Sequence, residues 1–356
     1  MKNKLLTTTA IAGLLITSSA FAQTTVTGNL DLSYKGASTD NTKGSSFRGF
    51  GKETQINISN KGKLNNGMDY VAGFSIEHDG QESGTAATTS GTAMFNENVY
   101  IDFISGGTTM TIGVDHIQNP DFEATSITGL ADLDEVISGV DLKTPAFITS
   151  AGSPYTSFGV GLTQNVGVGN VSVYYAPSTA AIAGDSAGGH GATSAGYVDG
   201  SNSTYELGFR GGLGVKGLDV GVFFNSSDSN DKGTNTQSAD NYKLSAKYAM
   251  GAVTVGASFA SQDTNGVQPQ TTKETRAIAL GYALSPNASV SIGHAKTEDS
   301  STSSNKNQND EKITAIQFGY SLGPVGLGLS VGKVDNIGNN ANADGKTAMF
   351  QASTKF

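Results

Sequence analysis

The chain has 356 residues, 37% of them hydrophobic, with 47 glycines, 7 prolines and neither cysteine nor tryptophan. That apolar share is below the roughly 45–50% of an ordinary water-soluble globule, so the chain is either disordered or folded around a polar interior. The absence of cysteine excludes disulfides, thiol chemistry and thiolate metal sites, and 31 acidic residues against 22 basic ones disfavour a nucleic-acid partner.

The first element is a leader. Lys2 and Lys4 make a basic start, residues 5–16 are rich in Leu, Ile and Ala, and Ala20-Phe21-Ala22 is a small-x-small cleavage site. The apolar stretch is shorter than the roughly 20 residues of a spanning helix. The pattern predicts a signal peptide over residues 1–22 and a single mature domain over 23–356.

Beyond the leader no helical period persists. Short alternating segments recur instead, at residues 26–35, 53–60, 68–79, 95–104 and 108–115, then 155–166, 171–177, 204–211, 218–226 and 240–250. The last third adds 252–262, 275–284, 288–298, 312–322, 325–334 and 346–356. Apolar residues recur through all of them, which argues against disorder. The connections are of two kinds. Tight ones such as Ser105-Gly106-Gly107 and Gly323-Pro324 reverse the chain quickly, while long ones at 36–51, 80–92, 178–202, 227–239, 263–273, 299–311 and 335–345 are rich in Ser, Thr, Asn, Asp and Gly. Their alternation puts the short turns at one end of a meander and the long loops at the other. The expected fold is all-β, a transmembrane antiparallel up-and-down β-barrel of 16 strands.

The strand faces fit that reading. Val253, Val255, Ala257 and Phe259 alternate with Thr254, Gly256 and Ser258; Val325, Leu327, Leu329 and Val331 alternate with Gly326, Gly328 and Ser330. In lipid every backbone group must pair internally, so strands cross only as a closed barrel. Tyr34, Tyr70, Phe103, Tyr155, Tyr175, Tyr248, Tyr282 and Phe356, near strand ends, are candidates for aromatic girdles. A soluble β-sandwich shows the same alternation. The leader, the alternating loop lengths, the small residues of the second face and an aromatic strand at the chain end favour the membrane barrel.

With its strand count, the long connection after the fifth strand and the final strand ending in Phe356, the mature chain resembles the general diffusion porins of Gram-negative bacteria, the alphaproteobacterial type in particular. The resemblance implies an outer-membrane homotrimer of water-filled pores for small hydrophilic solutes and ions. It implies a third loop folded into the lumen, and a terminal aromatic, Phe356, read by the outer-membrane assembly machinery. Residues 116–154 correspond to that constriction loop. They hold Asp121, Glu123, Asp132, Asp134, Glu135 and Asp141 against one Lys143, together with more apolar residues than a solvated loop needs. Carboxylates grouped at a constriction attract cations and repel anions.

Porins usually face such acids with a basic wall. Arg48, Arg210, Lys243 and Lys247 are the pore-lining basic candidates here. Asp31, Glu53, Asp69, Glu77 and Asp102 fall on the inward parity of the early strands, which weakens a transverse field and points to plain cation preference. Inward Gly159, Gly161, Gly221, Gly256, Gly326 and Gly328 are expected to keep the lumen open. Tyr100, Tyr174 and Phe223 are the inward aromatics, few for a sugar-binding slide. No cofactor is expected, although Asp132, Asp134 and Glu135 could form a weak Ca²⁺ site. The G-x-G-x-x-G at residues 212–217 precedes a strand rather than a helix and reads as a turn. His78, His116, His190 and His294 show no ligand or triad spacing. The alternatives are a structural or adhesin barrel with extracellular binding loops, a substrate-specific porin and an outer-membrane enzyme.

Overall fold

The computed structural model describes residues 23–39, 45–79, 95–113, 124–128, 159–176, 202–229, 238–265, 271–300, 309–339, 341 and 343–356. They form sixteen strands. The first five are β1 (Gln23–Thr39), β2 (Ser45–Lys63), β3 (Asp69–Asp79), β4 (Phe95–Ser105) and β5 (Thr108–Gly113). Next come β6 (Gly159–Asn165), β7 (Asn170–Ala176), β8 (Asn202–Gly211), β9 (Leu218–Ser229), β10 (Ser238–Met250) and β11 (Val253–Asn265). The last are β12 (Thr271–Ser285), β13 (Ala288–Asp299), β14 (Glu311–Leu322), β15 (Val325–Asp335) and β16 (Gly345–Lys355). Each pairs antiparallel with its neighbours in sequence, and β1 pairs with β16 from Asn29↔Lys355 to Thr39↔Gly345, so the sheet is a closed barrel.

Alternation sorts the side chains between two solvents. On β14, Ile316, Phe318, Tyr320 and Leu322 point out and are exposed, while Ile313, Ala315 and Gln317 point in and are buried. On β15, Leu329 and Val331 point out against inward Gly328 and Ser330. A water-soluble sheet would turn its large apolar residues inward. This wall does the reverse, as a lipid-facing barrel must. Aromatic rings cluster along the outer face in tilted contacts, Phe224 lying 6.1 Å from Tyr205 and 5.3 Å from Tyr242. The short turns bend through glycines in the left-handed region, such as Gly106 at φ 59° and Gly323 at φ 61°. Residues 212–217 are likewise a turn, with Leu213 and Gly214 at positive φ.

The long-loop ends differ from expectation. β1 and β2 continue their ladder to Thr39↔Ser45, well into what reads as a loop. Above the lipid both faces of a hairpin meet water, so the apolar alternation that marks a strand disappears while the backbone pairing does not. Residues 1–22 and Tyr155 lie outside the described residues.

Candidate functional site in the lumen

Strand register fixes which residues line the interior. Asp31 stands opposite Glu53 across β1 and β2, and Asp102 follows on β4 opposite Val71. Asn29 donates to the Asp31 carboxylate at 3.0 Å and Thr111 donates to Asp102 at 2.5 Å. Lys35 faces inward from β1, and Lys63 pairs with Asp69 at 2.6 Å near the short-turn mouth. The backbone of Glu77 also takes the inward register, opposite Gln55.

The basic residues lie farther round the wall. Arg210 on β8, and Lys243 and Lys247 on β10, face inward, Lys243 being buried. Arg210 grips Asp219 of β9 at 2.9 Å, and Lys247 stands opposite the same Asp219. One carboxylate therefore offsets part of this basic cluster. Arg48 corrects the expectation. It stands opposite Gly36 on the face that carries Tyr34 and Phe50, outside the barrel. Its parity had been obscured because the polar upper part of β2 does not read as a strand.

Inward acids missed in the sequence include Glu206, Asp219 and Glu311. Glu206 is buried and accepts from Asn225, which in turn accepts from Asn241. The signal was available, since Glu206 shares the parity of Arg210 and Asp219 that of Gly221.

The interior is not empty wall. Ala124 and Thr125, from the connection between β5 and β6, are buried at 0% and 2% exposure. Gly256 of β11 lies directly beneath the Ala124 carbonyl, and Gly281 of β12 lies beneath the Ile127 side chain. A Cβ at either glycine would collide with the loop. β11 and β12 stand six and seven places round the barrel from β5, so this connection crosses the lumen. Gly256 was expected to keep the lumen open; it holds the loop instead. Gly159 is similarly covered, by the Tyr174 ring. Asp121, Glu123, Asp132, Asp134, Glu135 and Asp141 lie outside the described residues, as do His116 and His190. His294 points outward and shares a 2.9 Å hydrogen bond with Thr314. Among the described residues no group of His, Asp and Glu could hold a metal ion.

Residues 7–302 match the sequence profile of a family described as Gram-negative porin. No curated protein matches the sequence. Among solved structures, a loop-L8 deletion mutant of OmpT, an outer membrane protein of Vibrio cholerae, superposes with a TM-score of 0.63 at 12% identity, covering 94% of this chain and 99% of its own. The in-vitro folded trimer form of OmpT gives 0.63 at 11% identity, with 94% and 99% coverage. A mutant of the Rh. blastica porin gives 0.58 at 12%, with 94% and 100% coverage. At these identities the structural likenesses establish the barrel alone.

Proposed function

The chain belongs to the Gram-negative porin family, an outer-membrane channel for passive diffusion, and from that premise we propose that its pore prefers cations and that it works as a homotrimer. The observation that carries the preference is the loop crossing. Ala124 and Thr125 are buried against β11, on the far side of the lumen from β5. Residues 116–154 of that connection carry, in sequence, six carboxylates against the single Lys143. In a narrow aqueous passage with low-dielectric walls such charge is focused and admits cations over anions. The facing basic wall is too weak to reverse that sign, because Arg210 is already paired with Asp219. A reversal potential measured across a planar bilayer in a KCl gradient tests the reading, and anion preference overturns it.

We read the protein as a channel rather than an enzyme, and we assign it no cofactor; calcium at Asp132, Asp134 and Glu135 would be at most weak. The trimer is supported by the solved trimer form of OmpT. Conductance steps in threes would support it for this chain. Of the three inward aromatics, Tyr174 and Phe223 are buried on the wall at 5% and 3% exposure and Tyr100 alone is partly exposed, so among the described residues no aromatic track for sugars forms and a general pore fits better than a substrate-specific one. Insertion into lipid, with Phe356 recognised by the assembly machinery and residues 1–22 removed on export, completes the reading. An electrically silent barrel would favour the adhesin alternative.

A further inference from the structure

A band of cations girds part of the outer face. Arg276 stands opposite Lys296, Lys296 opposite Lys312, and one rung nearer the short turns Lys333 opposite Lys346. Like charges directly opposite one another destabilise an antiparallel pair. Acids relieve only part of this. Arg276 holds Glu274 at 3.0 Å, Lys296 holds Glu298 at 2.7 Å and Asp310 at 2.8 Å, and Lys333 holds Asp335 at 2.8 Å. Lys312 and Lys346 form no ion pair among the described residues.

Height gives the band its meaning. The five cations lie eight to ten residues from the short-turn ends of their strands. At about 3.3 Å per residue and a tilt of 35–45° that is about 20–25 Å, the upper edge of the roughly 25 Å apolar band. Glu274, Glu298 and Asp310 sit two residues farther out than Arg276, Lys296 and Lys312, while Asp335 stands level with Lys312, so the layer touching the lipid boundary holds five cations and one acid. The long loops mark this as the external end.

Beneath Lys333 and Lys346 the wall is furrowed. Gly36, Ala348, Val331 and Ile316 form one rung, and the missing bulk at Gly36 and Ala348 opens a cavity of about 690 Å³ with both lysines at its rim. The cavity is an open groove along the lipid face rather than an enclosed pocket. An apolar furrow running down from paired ammonium groups at the depth of lipid headgroups is complementary to one kind of occupant. We propose that this furrow binds a phosphorylated lipid of the outer leaflet, with a phosphate between Lys333 and Lys346 and an acyl chain along Gly36, Ala348, Val331 and Ile316. The phosphate offsets the like-charge rung through charge-assisted hydrogen bonds.

The refolded full-length barrel is mixed with diphosphoryl lipid A, its dephosphorylated form or phosphatidylcholine, and retained lipid is counted by native mass spectrometry. The wild type should retain diphosphoryl lipid A about tenfold better than K333Q/K346Q, the scale of losing one charge-assisted hydrogen bond. G36L, which fills the furrow, should weaken retention without touching a charge. Heat-resistant electrophoretic mobility reports folding; if the double variant does not fold, K346Q and G36L decide. Equal retention by wild type and variants overturns the proposal, as does equal retention of the dephosphorylated lipid. Competition by inorganic phosphate alone would mean a free-anion site and overturn it too. Loss of oligomers in K333Q/K346Q with unchanged lipid retention would make this face a subunit contact and defeat the lipid assignment.

Discussion

Gly28 and Phe356 exchange both backbone hydrogen bonds, Gly28 N–H to the Phe356 carbonyl at 2.9 Å and Phe356 N–H to the Gly28 carbonyl at 3.0 Å. The last residue of the chain is thus the last rung of the seam that joins β16 to β1. Its ring lies over Gly28, where a Cβ would come 2.5 Å from Phe356 Cζ and 2.6 Å from the Gln55 carbonyl oxygen. A closed barrel has no sheet edge, and this rung completes the closure at the short-turn end.

Gly28→Val should therefore weaken the seam by about 1–3 kcal/mol, the usual cost of overpacking. Phe356→Ser keeps the backbone rung and removes the ring. It should lower the amount of folded protein in outer membranes while leaving the conductance of assembled pores unchanged. Quantitative blotting of membrane fractions, with single-channel recording of what assembles, separates the two effects. Normal abundance of the serine variant would count against an assembly role for Phe356.

Gly256→Val should loosen the constriction. The new side chain occupies the place of the Ala124 carbonyl, so the loop must leave its contact on β11. The barrel ladder is unaffected, because Gly256 keeps its partners Lys247 and Ala279. The expected outcome is a folded barrel with larger and more variable single-channel conductance and, where the acidic connection sets selectivity, a weaker cation preference. An unchanged conductance would show that the loop is held elsewhere.

Among the wall cations, Lys243 and Lys247 on β10 can be tested together by charge reversal. Replacing both lysines by glutamate puts two more anions in the lumen and should move the reversal potential further toward the cation limit. Arg210→Gln should have the smaller effect on selectivity, since Arg210 and Asp219 already offset each other across 2.9 Å. Arg48→Gln should leave selectivity alone, because Arg48 faces outward opposite Gly36.

Fold and site were unequally legible. The strand count, the alternating turns and the two faces follow from period-two patterning, because lipid and water demand opposite side chains on successive residues. The signal fails wherever both faces meet the same solvent. That is why the upper ladders of β1 and β2 read as loops and why the outward parity of Arg48 is not legible in the sequence. Lys243 and Lys247 could be placed by parity alone. The contact of Ala124 with Gly256 could not, since it joins residues distant in sequence and a glycine reads equally as empty space or as room for a neighbour's backbone. The cation band was hidden for a different reason. It is a property of register across five strands, and no single strand shows it.

Phe350 and Gln351 offer a sharp test of the two-solvent wall, being adjacent in sequence and opposed in facing. Phe350 points outward between Leu329 and Tyr34, 47% exposed, whereas Gln351 points inward between Gly328 and Ser33. Phe350 lies five residues from the end of β16, about 13 Å up a tilted strand and near the middle of the apolar band. An arginine there must sit in hydrocarbon, so Phe350→Arg should lower stability by about 2–4 kcal/mol. Gln351→Arg puts the same charge one residue along on the lumen face rather than in hydrocarbon, and should change stability less while altering ion selectivity. Denaturant titrations of both variants in lipid vesicles give the comparison directly. Equal losses would mean that the faces do not separate lipid from water in the way the alternation requires.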